Sequence, residues 1–155
     1  MESAEIEEIL ANCELFKGLG QSEIRSIAKI CRVNTYDKGA LVYQQGDFGE
    51  IIYIIANGQV VLEKTVDMDS REGRVVIATL GRGRVFGCWS TLLDEAHIMM
   101  LRTFCQTPAT ILVLKGAELR KDMVSDTGFG FNVMERLCLL LRERIQSAYG
   151  AMEKM

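Results

Sequence analysis

The chain has 155 residues, a formal net charge of −3 and charged side chains at 25% of its positions. This length is enough for one domain with a sizeable core, and a hydrophobic content of 48% is typical of a folded protein. No Lys/Arg cluster is long enough for a nucleic-acid footprint, and no apolar run reaches the ~20 residues of a membrane helix. We therefore expect neither nucleic acid nor membrane as a partner of this chain.

The cysteines and the N-terminus indicate a reducing compartment. Five cysteines are scattered along the chain without a CxxC pair, so neither a disulfide framework nor a zinc site is expected. The N-terminal stretch MESAEIEEIL is acidic and lacks the basic and then apolar pattern of a signal peptide. We expect a cytoplasmic protein with reduced thiols.

The predicted elements form three blocks, which we interpret as one domain over residues 1–155. Residues 1–32 are predicted to be helical, because IEEILANCELF and QSEIRSIAKIC have apolar residues at helical spacing. Residues 33–116 contain short β-branched and aromatic runs between glycine turns, which predicts a β-roll with a short helix near residues 87–93. Residues 117–155 return to helical spacing. The order predicts a mainly β fold with flanking helices: a double-stranded β-helix (jelly-roll) barrel with N-terminal helices and a long C-terminal helix.

This order, with the segments YDKGALVYQQGDFGEIIYIIANGQVVL and IATLGRGRVFG, resembles the cyclic-nucleotide-binding domain superfamily. That superfamily includes the catabolite activator protein and the regulatory subunits of cyclic-AMP-dependent kinase. The resemblance extends over residues 12–150 and is most specific between residues 39 and 58. Residues on the family's framework pattern are Gly39, Gly46, Asp47, Gly49, Glu50, Tyr53, Ile54 and Gly58.

The resemblance implies a phosphate-binding cassette after the Phe86–Gly87 turn. In the family, a short helix follows an F-G-E motif, and its backbone N–H groups face the cyclic phosphate. The motif's glutamate binds the ribose hydroxyl, and an arginine on the return strand pairs with the phosphate. Here Cys88 takes the glutamate position. The residues expected to line the pocket in this segment are Phe86, Gly87, Cys88, Trp89, Ser90 and Thr91.

Two registers are possible for the return strand. An ungapped count from QTPATILVLKGAEL places Met99 at the arginine position and Met100 at the hydroxyl position that often follows it. The alternative uses Arg102 and Thr103 as that pair, and it needs a three-residue insertion with a compensating deletion. Cys88 replaces the glutamate in both registers, and the first register also lacks the arginine, so it predicts weak or no binding of cyclic AMP and cyclic GMP.

We therefore predict a non-enzymatic regulatory or sensor module that binds a small effector of unknown identity in the β-roll pocket. No Ser/His/Asp set, metal-spaced cluster or Walker motif is visible in the sequence, and no cofactor is expected. Two alternatives stay open. One is a ligand-free dimerisation or interaction module. The other is a haem or redox sensor, since the family's carbon-monoxide-sensing activators have ligands near the positions of Cys88 and His97.

The terminal helix carries two apolar stripes. Val133, Leu137 and Leu140 form a stripe that can pack on the barrel. The other stripe has 4-3 spacing, which predicts a homodimer through this helix, unless both stripes form one broad face packed on the domain itself. In the family this helix caps the ligand and carries the signal to an output partner, which is unknown here. The seam residues are Met134, Cys138, Leu141, Ile145, Ala148 and Met152.

Overall fold

A computed structural model describes residues 1–87 and 97–154, without the side chain of His97. Two helices come first, α1 (Ser3–Asn12) and α2 (Gln21–Ile30), and two come last, α3 (Gly116–Ser125) and α4 (Thr127–Glu153). The predicted helical blocks therefore agree with the structure to within a few residues. The short helix predicted near residues 87–93 lies outside the described residues, apart from Gly87.

The described residues between α2 and α3 form short strands, as the glycine-punctuated pattern predicts. In chain order these strands are β1 (Arg32–Tyr36), β2 (Leu41–Tyr43), β3 (Phe48–Gly49), β4 (Ile51–Asn57), β5 (Val60–Met68), β6 (Arg71–Leu80), β7 (Val85–Phe86), β8 (His97–Ile98), β9 (Arg102–Cys105) and β10 (Ala109–Lys115).

The strands pair antiparallel in two four-stranded sheets and one small sheet. The first sheet has the order β1-β10-β4-β7, the second has the order β2-β9-β5-β6, and β3 pairs with β8. This arrangement of antiparallel sheets with flanking helices confirms the predicted jelly-roll architecture. Pairing among the described strands gives three sheets rather than one closed barrel.

The central strands β4 and β10 of the first sheet are buried on both faces, which explains their continuous apolar runs. Successive side chains of a strand point to opposite faces. Ile52 and Ile54 of β4, with Leu112 of β10, pack in a cluster with the flanking helices. Ile55 and Ile111 belong to a second cluster inside the roll. A strand that separates two cores has no polar face, so its sequence cannot alternate.

Helix α4 begins at an N-cap and buries one of its two predicted stripes. The Asp126 side chain accepts a hydrogen bond from the Phe129 backbone N–H at 3.2 Å, which satisfies a free donor of the first turn. Val133, Leu137 and Leu140 are buried against the domain, as the stripe predicts. Among the described residues, no helix is long and apolar enough to cross a membrane.

Four cysteines of the described residues are free thiols, and burial sets their reactivity. Burial raises the pKa of Cys13 to about 11 and that of Cys31 to about 12. Cys138 is exposed on α4. The thiolate is the nucleophile, so a raised pKa suppresses reaction.

We expect a maleimide at pH 8 to label Cys138 at least tenfold faster than Cys13 or Cys31. A pKa raised by two units leaves about a hundredfold less thiolate at this pH, and burial also restricts access. Peptide mass spectrometry over a time course measures each site separately, and labelling in guanidinium is the control. Equal rates at the three sites in the native protein would contradict the burial of Cys13 and Cys31.

Candidate functional site

A cavity of about 270 Å³ lies between the inner face of the β-roll and helix α4. The roll contributes residues from β2, β5, β6 and β7 and the segment 98–101. Small-ligand pockets begin at about 300 Å³, so the cavity has the size of a small effector. The helix closes it with Leu140, Leu141, Arg144, Ile145 and Ala148.

The structure brings together some of the residues predicted for the site. Phe86, Gly87, Met99 and Met100 line the cavity. Arg102 and Thr103, the pair of the alternative register, lie outside its described lining. Four further predicted residues fall outside the described part of the chain: Cys88, Trp89, Ser90 and Thr91.

The turn before the cassette depends on glycine at position 87. Gly87 has φ of +77°, and a Cβ there would lie 2.9 Å from the Ile51 carbonyl oxygen. Its neighbour Phe86 stacks on Tyr53 with ring centroids 4.8 Å apart, and Tyr43 lies within 5.6 Å of the Tyr53 ring. Burial raises the pKa of the Tyr53 phenol to about 12, so this phenol is uncharged at neutral pH. The cavity wall before the cassette therefore includes a packed aromatic cluster.

Met99 is buried, with 4% of its surface exposed. Its backbone N–H donates to the Asp47 carbonyl at 2.7 Å, and its carbonyl accepts from the Gly46 N–H at 2.8 Å. Its sulfur lies against Gly49, where any Cβ would overlap it. The strand position that the ungapped register assigns to arginine thus holds a fixed, uncharged thioether at the cavity wall.

Arg102 lies on the other face of β9 and has a partner of its own. Its Nη1 is 2.6 Å from Oε1 of Glu63 on β5, and the guanidinium lies 5.0 Å from the centre of the Phe104 ring. Both charged side chains are largely buried. An arginine held by a carboxylate in this way is not available to a ligand in the cavity without breaking the ion pair.

Thr103 is fully buried, and its hydroxyl has no hydrogen-bond partner among the described residues. In the strand register it lies opposite Leu62 on one side and Tyr43 on the other. Both neighbours line the cavity, and cross-strand neighbours share a face of the sheet. The hydroxyl therefore lies on the inner face of the roll beside the cavity.

A network of charged groups ties α4 to the start of the cassette. The Glu14 carboxylate, just after α1, accepts from the Val85 backbone N–H at 2.7 Å, from Arg84 at 2.9 Å and from Arg144 at 3.2 Å. Arg144 also donates to the Val85 carbonyl at 2.7 Å, and Arg84 also pairs with Glu143. The side chains of Glu14 and Arg144 are only 19% and 12% exposed. These five residues, called the α4 clamp below, join three separate segments of the chain.

We expect Glu14→Ala to lower the free energy of unfolding by about 2–4 kcal/mol, because it leaves partly buried cations and one backbone N–H without their acceptor. Chemical denaturation followed by circular dichroism measures the change. Glu8→Ala on the exposed face of α1 is the control and should change stability by less than about 0.5 kcal/mol. Equal effects of the two substitutions would contradict the role of Glu14 in the clamp.

Sequence reasoning missed the cavity residues that come from outside the cassette. Lys64 lines the cavity from β5, and the alternation of Leu62 and Lys64 along this strand was the available signal. Arg144 precedes the seam residue Ile145 on α4. The helical pattern gives no sign that Arg144, rather than another charged residue of this helix, lines the cavity. Glu14 has no local signal, since its partners lie about 70 and 130 residues away in sequence.

The second stripe of α4 is exposed along most of its length. Met134, Ile145 and Met152 are 45%, 52% and 62% exposed, and Phe131 extends the stripe by one more position at 70%. Cys138 is exposed as well, whereas Leu141 and Ala148 are half-buried at the mouth of the cavity. The stripe is therefore not a single broad face packed on its own domain.

Comparison with known proteins identifies the family. The family model "Cyclic nucleotide-binding domain" matches residues 33–126, more than half of the chain. Over 83 residues the chain is 36% identical to the cyclic AMP receptor protein of Thermus thermophilus, with 54% of this chain and 37% of that protein covered. Over 81 residues it is 33% identical to the cAMP-dependent protein kinase type II regulatory subunit of Drosophila melanogaster, with 52% and 20% covered. The chain thus spans well under half the length of these relatives.

A solved structure of the same class supports the fold. The crystal structure of a cyclic nucleotide-binding domain from Methylobacillus flagellatus superposes with a TM-score of 0.80 at 23% identity. The superposition covers 99% of this chain and 84% of the other. The sequence resemblance, the family model and the shared fold agree, and the chain belongs to the cyclic nucleotide-binding domain family.

Proposed function

We propose that this chain is a non-enzymatic, cytoplasmic sensor module that binds a small effector in the β-roll cavity and signals through α4. Cyclic AMP and cyclic GMP are weak ligands of this module or do not bind. The single observation that carries the proposal is the cavity itself. Its walls come from the roll, its lid is α4, and the wall position that the family's arginine would occupy holds Met99.

The α4 clamp supplies a physical route for the signal. Arg144 lines the cavity and holds the carbonyl of Val85, one residue before the Phe86–Gly87 turn. An effector that reorders this turn or displaces Arg144 changes the free energy that holds α4 on the roll. The two states are α4 held on the roll and α4 released from it. A ligand shifts this equilibrium only by its difference in affinity for the two states, so the mechanism requires a ligand that contacts both the roll and α4.

The exposed stripe of α4 supplies the partner surface, and we assign it to a second copy of this chain. The 4-3 spacing places Cys138 and Ile145 at a positions and Met134 and Leu141 at d positions of a heptad. A β-branched residue at a with Leu at d favours parallel two-stranded coiled coils. Since Leu141 and Ile145 also line the cavity, dimer formation and effector binding would share one surface. No nucleic acid is proposed as a partner of this segment.

Two measurements on the purified chain test the proposal. Calorimetric titration with cyclic AMP and cyclic GMP tests the weak-binding part, and a dissociation constant in the low micromolar range would overturn it.

Hydrogen exchange of α4 in the native protein and in Arg144→Ala tests the signalling part. Loss of the clamp should speed exchange in residues 140–148 by about tenfold or more, since the contacts that hold this turn are removed. Unchanged exchange would refute a coupling through Arg144.

The haem or redox alternative has its own readout. Among the described residues there is no group of three or more His, Cys, Asp or Glu side chains that could hold a metal ion. Cys88 and the His97 side chain lie outside what the structure describes. A Soret band in the absorption spectrum of the purified protein would replace the effector proposal with haem sensing.

A further inference from the structure

We propose that the effector is an amphipathic anion, with an apolar body inside the roll and one carboxylate at the mouth of the cavity, held by Lys64. This inference rests on the proposed function, because it names the class of ligand that the same cavity takes. It is carried by the distribution of charge around the cavity rather than by the family pattern.

The described part of the cavity lining is apolar apart from two cations and one phenol. Of the 16 described lining residues, Lys64 and Arg144 are the charged ones, and Tyr43 is the other polar side chain. No carboxylate lines the cavity in the described ranges 1–87 and 97–154. A cation or a strongly polar ligand such as a sugar would lose its hydration here without gaining partners. An apolar body with a negative charge matches both properties of the lining.

The two cations are not equivalent. Arg144 is 12% exposed and is already bound to Glu14 and to the Val85 carbonyl. Lys64 Nζ has one weak contact, the Met100 carbonyl at 3.4 Å, and no carboxylate within salt-bridge distance in the described part of the chain. Lys64 therefore has donors left for a ligand, whereas Arg144 would have to leave the clamp first. An ammonium beside an apolar wall attracts an anion more strongly than one in open water, because fewer water molecules screen the pair.

The strand geometry fixes the orientation of the ligand. Leu62 is 3% exposed and lies deep in the roll, and Lys64 is two residues further along the same face of β5. Two residues of a strand span roughly 6.6 Å, so the charge lies about that far above the inner wall. The apolar body then packs against Leu62, Met99 and Leu101, and the carboxylate reaches Lys64. This assigns the anion to Lys64 at the mouth of the cavity rather than to the backbone N–H groups of a helix N-terminus, as in the family's phosphate site.

Thr103 lies behind the inner wall of the roll and is not part of the described cavity lining. Its hydroxyl is fully buried between Leu62 and Tyr43 and lacks a partner among the described residues. A buried hydroxyl without a partner costs about 1–3 kcal/mol, but Thr103 is 0% exposed and a ligand in the cavity does not reach it. Thr103 therefore supplies no contact to the proposed ligand.

The test uses eight-carbon probes of equal length and different charge on the purified protein. Calorimetry measures octanoate, octanol and octylammonium against the native protein, Lys64→Met and Lys64→Arg. We expect octanoate to bind best to the native protein, to weaken about tenfold to a hundredfold in Lys64→Met, and to recover in Lys64→Arg. Octanol should be unaffected by either substitution. Lys38→Met, at an exposed lysine outside the described cavity lining, is the matched control and should bind octanoate like the native protein.

The outcomes separate this inference from the function on which it rests. Equal binding of octanoate and octanol, unchanged in Lys64→Met, would overturn the anion while leaving an apolar effector cavity. Tight binding of cyclic AMP with no binding of octanoate would overturn both the anion class and the weak binding of cyclic nucleotides. Binding by none of these probes would refute the amphipathic ligand. Slower hydrogen exchange of residues 140–148 on addition of octanoate would support binding under α4.

Discussion

Cyclic AMP and cyclic GMP should bind the native protein with dissociation constants of about 100 μM or weaker, and Met99→Arg combined with Cys88→Glu should strengthen binding at least tenfold. The reason is that two charged contacts of the family pattern are missing from this chain in the ungapped register. In the family pattern, the arginine binds the cyclic phosphate and the glutamate binds the ribose. A hydrogen bond to a charged group contributes about 1.5–3 kcal/mol, so the loss of both removes about three decades of affinity.

The prediction depends on which residue, Met99 or Arg102, occupies the position that pairs with the phosphate. Met99 is buried at the cavity wall with its sulfur over Gly49, whereas Arg102 is held by Glu63 on the other face of β9. Arg102→Ala should therefore leave cyclic-nucleotide affinity within about twofold of the native value. Tight native binding that disappears in Arg102→Ala would instead show that Arg102 supplies the phosphate contact.

A matched control separates position from charge. Met100 is the next residue and is 50% exposed, so Met100→Arg adds the same cation without placing it at the inner wall. Combined with Cys88→Glu, it should improve binding much less than the Met99→Arg pair does. Thermal melts accompany the titrations, since an unpaired arginine at a buried site destabilises the free protein. Equal gains for the two pairs would refute the assignment of Met99 to the phosphate position.

Leu141→Glu with Ile145→Glu should convert the protein from a dimer to a monomer, with a dimer dissociation constant raised at least a hundredfold. Each substitution places a charge in an apolar seam, where it must be dehydrated without a partner of opposite sign. The seam otherwise exposes large side chains along α4, and large apolar patches are uncommon on monomers. Light scattering and sedimentation over a concentration series measure the change.

Two further variants keep the result unambiguous. Leu139→Glu with Gln146→Glu introduces the same charges on the exposed side of α4 outside the seam and should leave the dimer intact. Met134→Glu with Cys138→Glu disrupts the seam where it does not line the cavity, and should give monomers without touching the effector site. Mild oxidation should also join two native chains through Cys138 if the helices run parallel. A native protein that is monomeric at high concentration contradicts the proposed dimer.

The sequence was sufficient for the architecture because local patterns encode it. The glycine spacing between residues 39 and 58 and the change from helical to strand periodicity near residue 33 predicted the roll and its flanking helices. Stripes on α4 predicted which face is buried, and Val133, Leu137 and Leu140 confirm it. Each of these signals depends on neighbours within a few turns or one hairpin, so the chain displays them directly.

The same sequence by itself determined the family, and the Phe86–Gly87 pair placed Cys88 at the glutamate position of the family motif, whereas the register of the arginine position stayed open. Only the tertiary structure decided which side chains surround the cavity. Lys64, Arg144 and Glu14 come from segments far apart in the chain, and their meeting depends on how the sheets and α4 pack. Arg102 and Met99 are three residues apart, yet the pleat and the Glu63 ion pair put one outside the cavity and the other in its wall. Strand register and long-range ion pairs have no local periodicity, so they become visible only when the chain is folded.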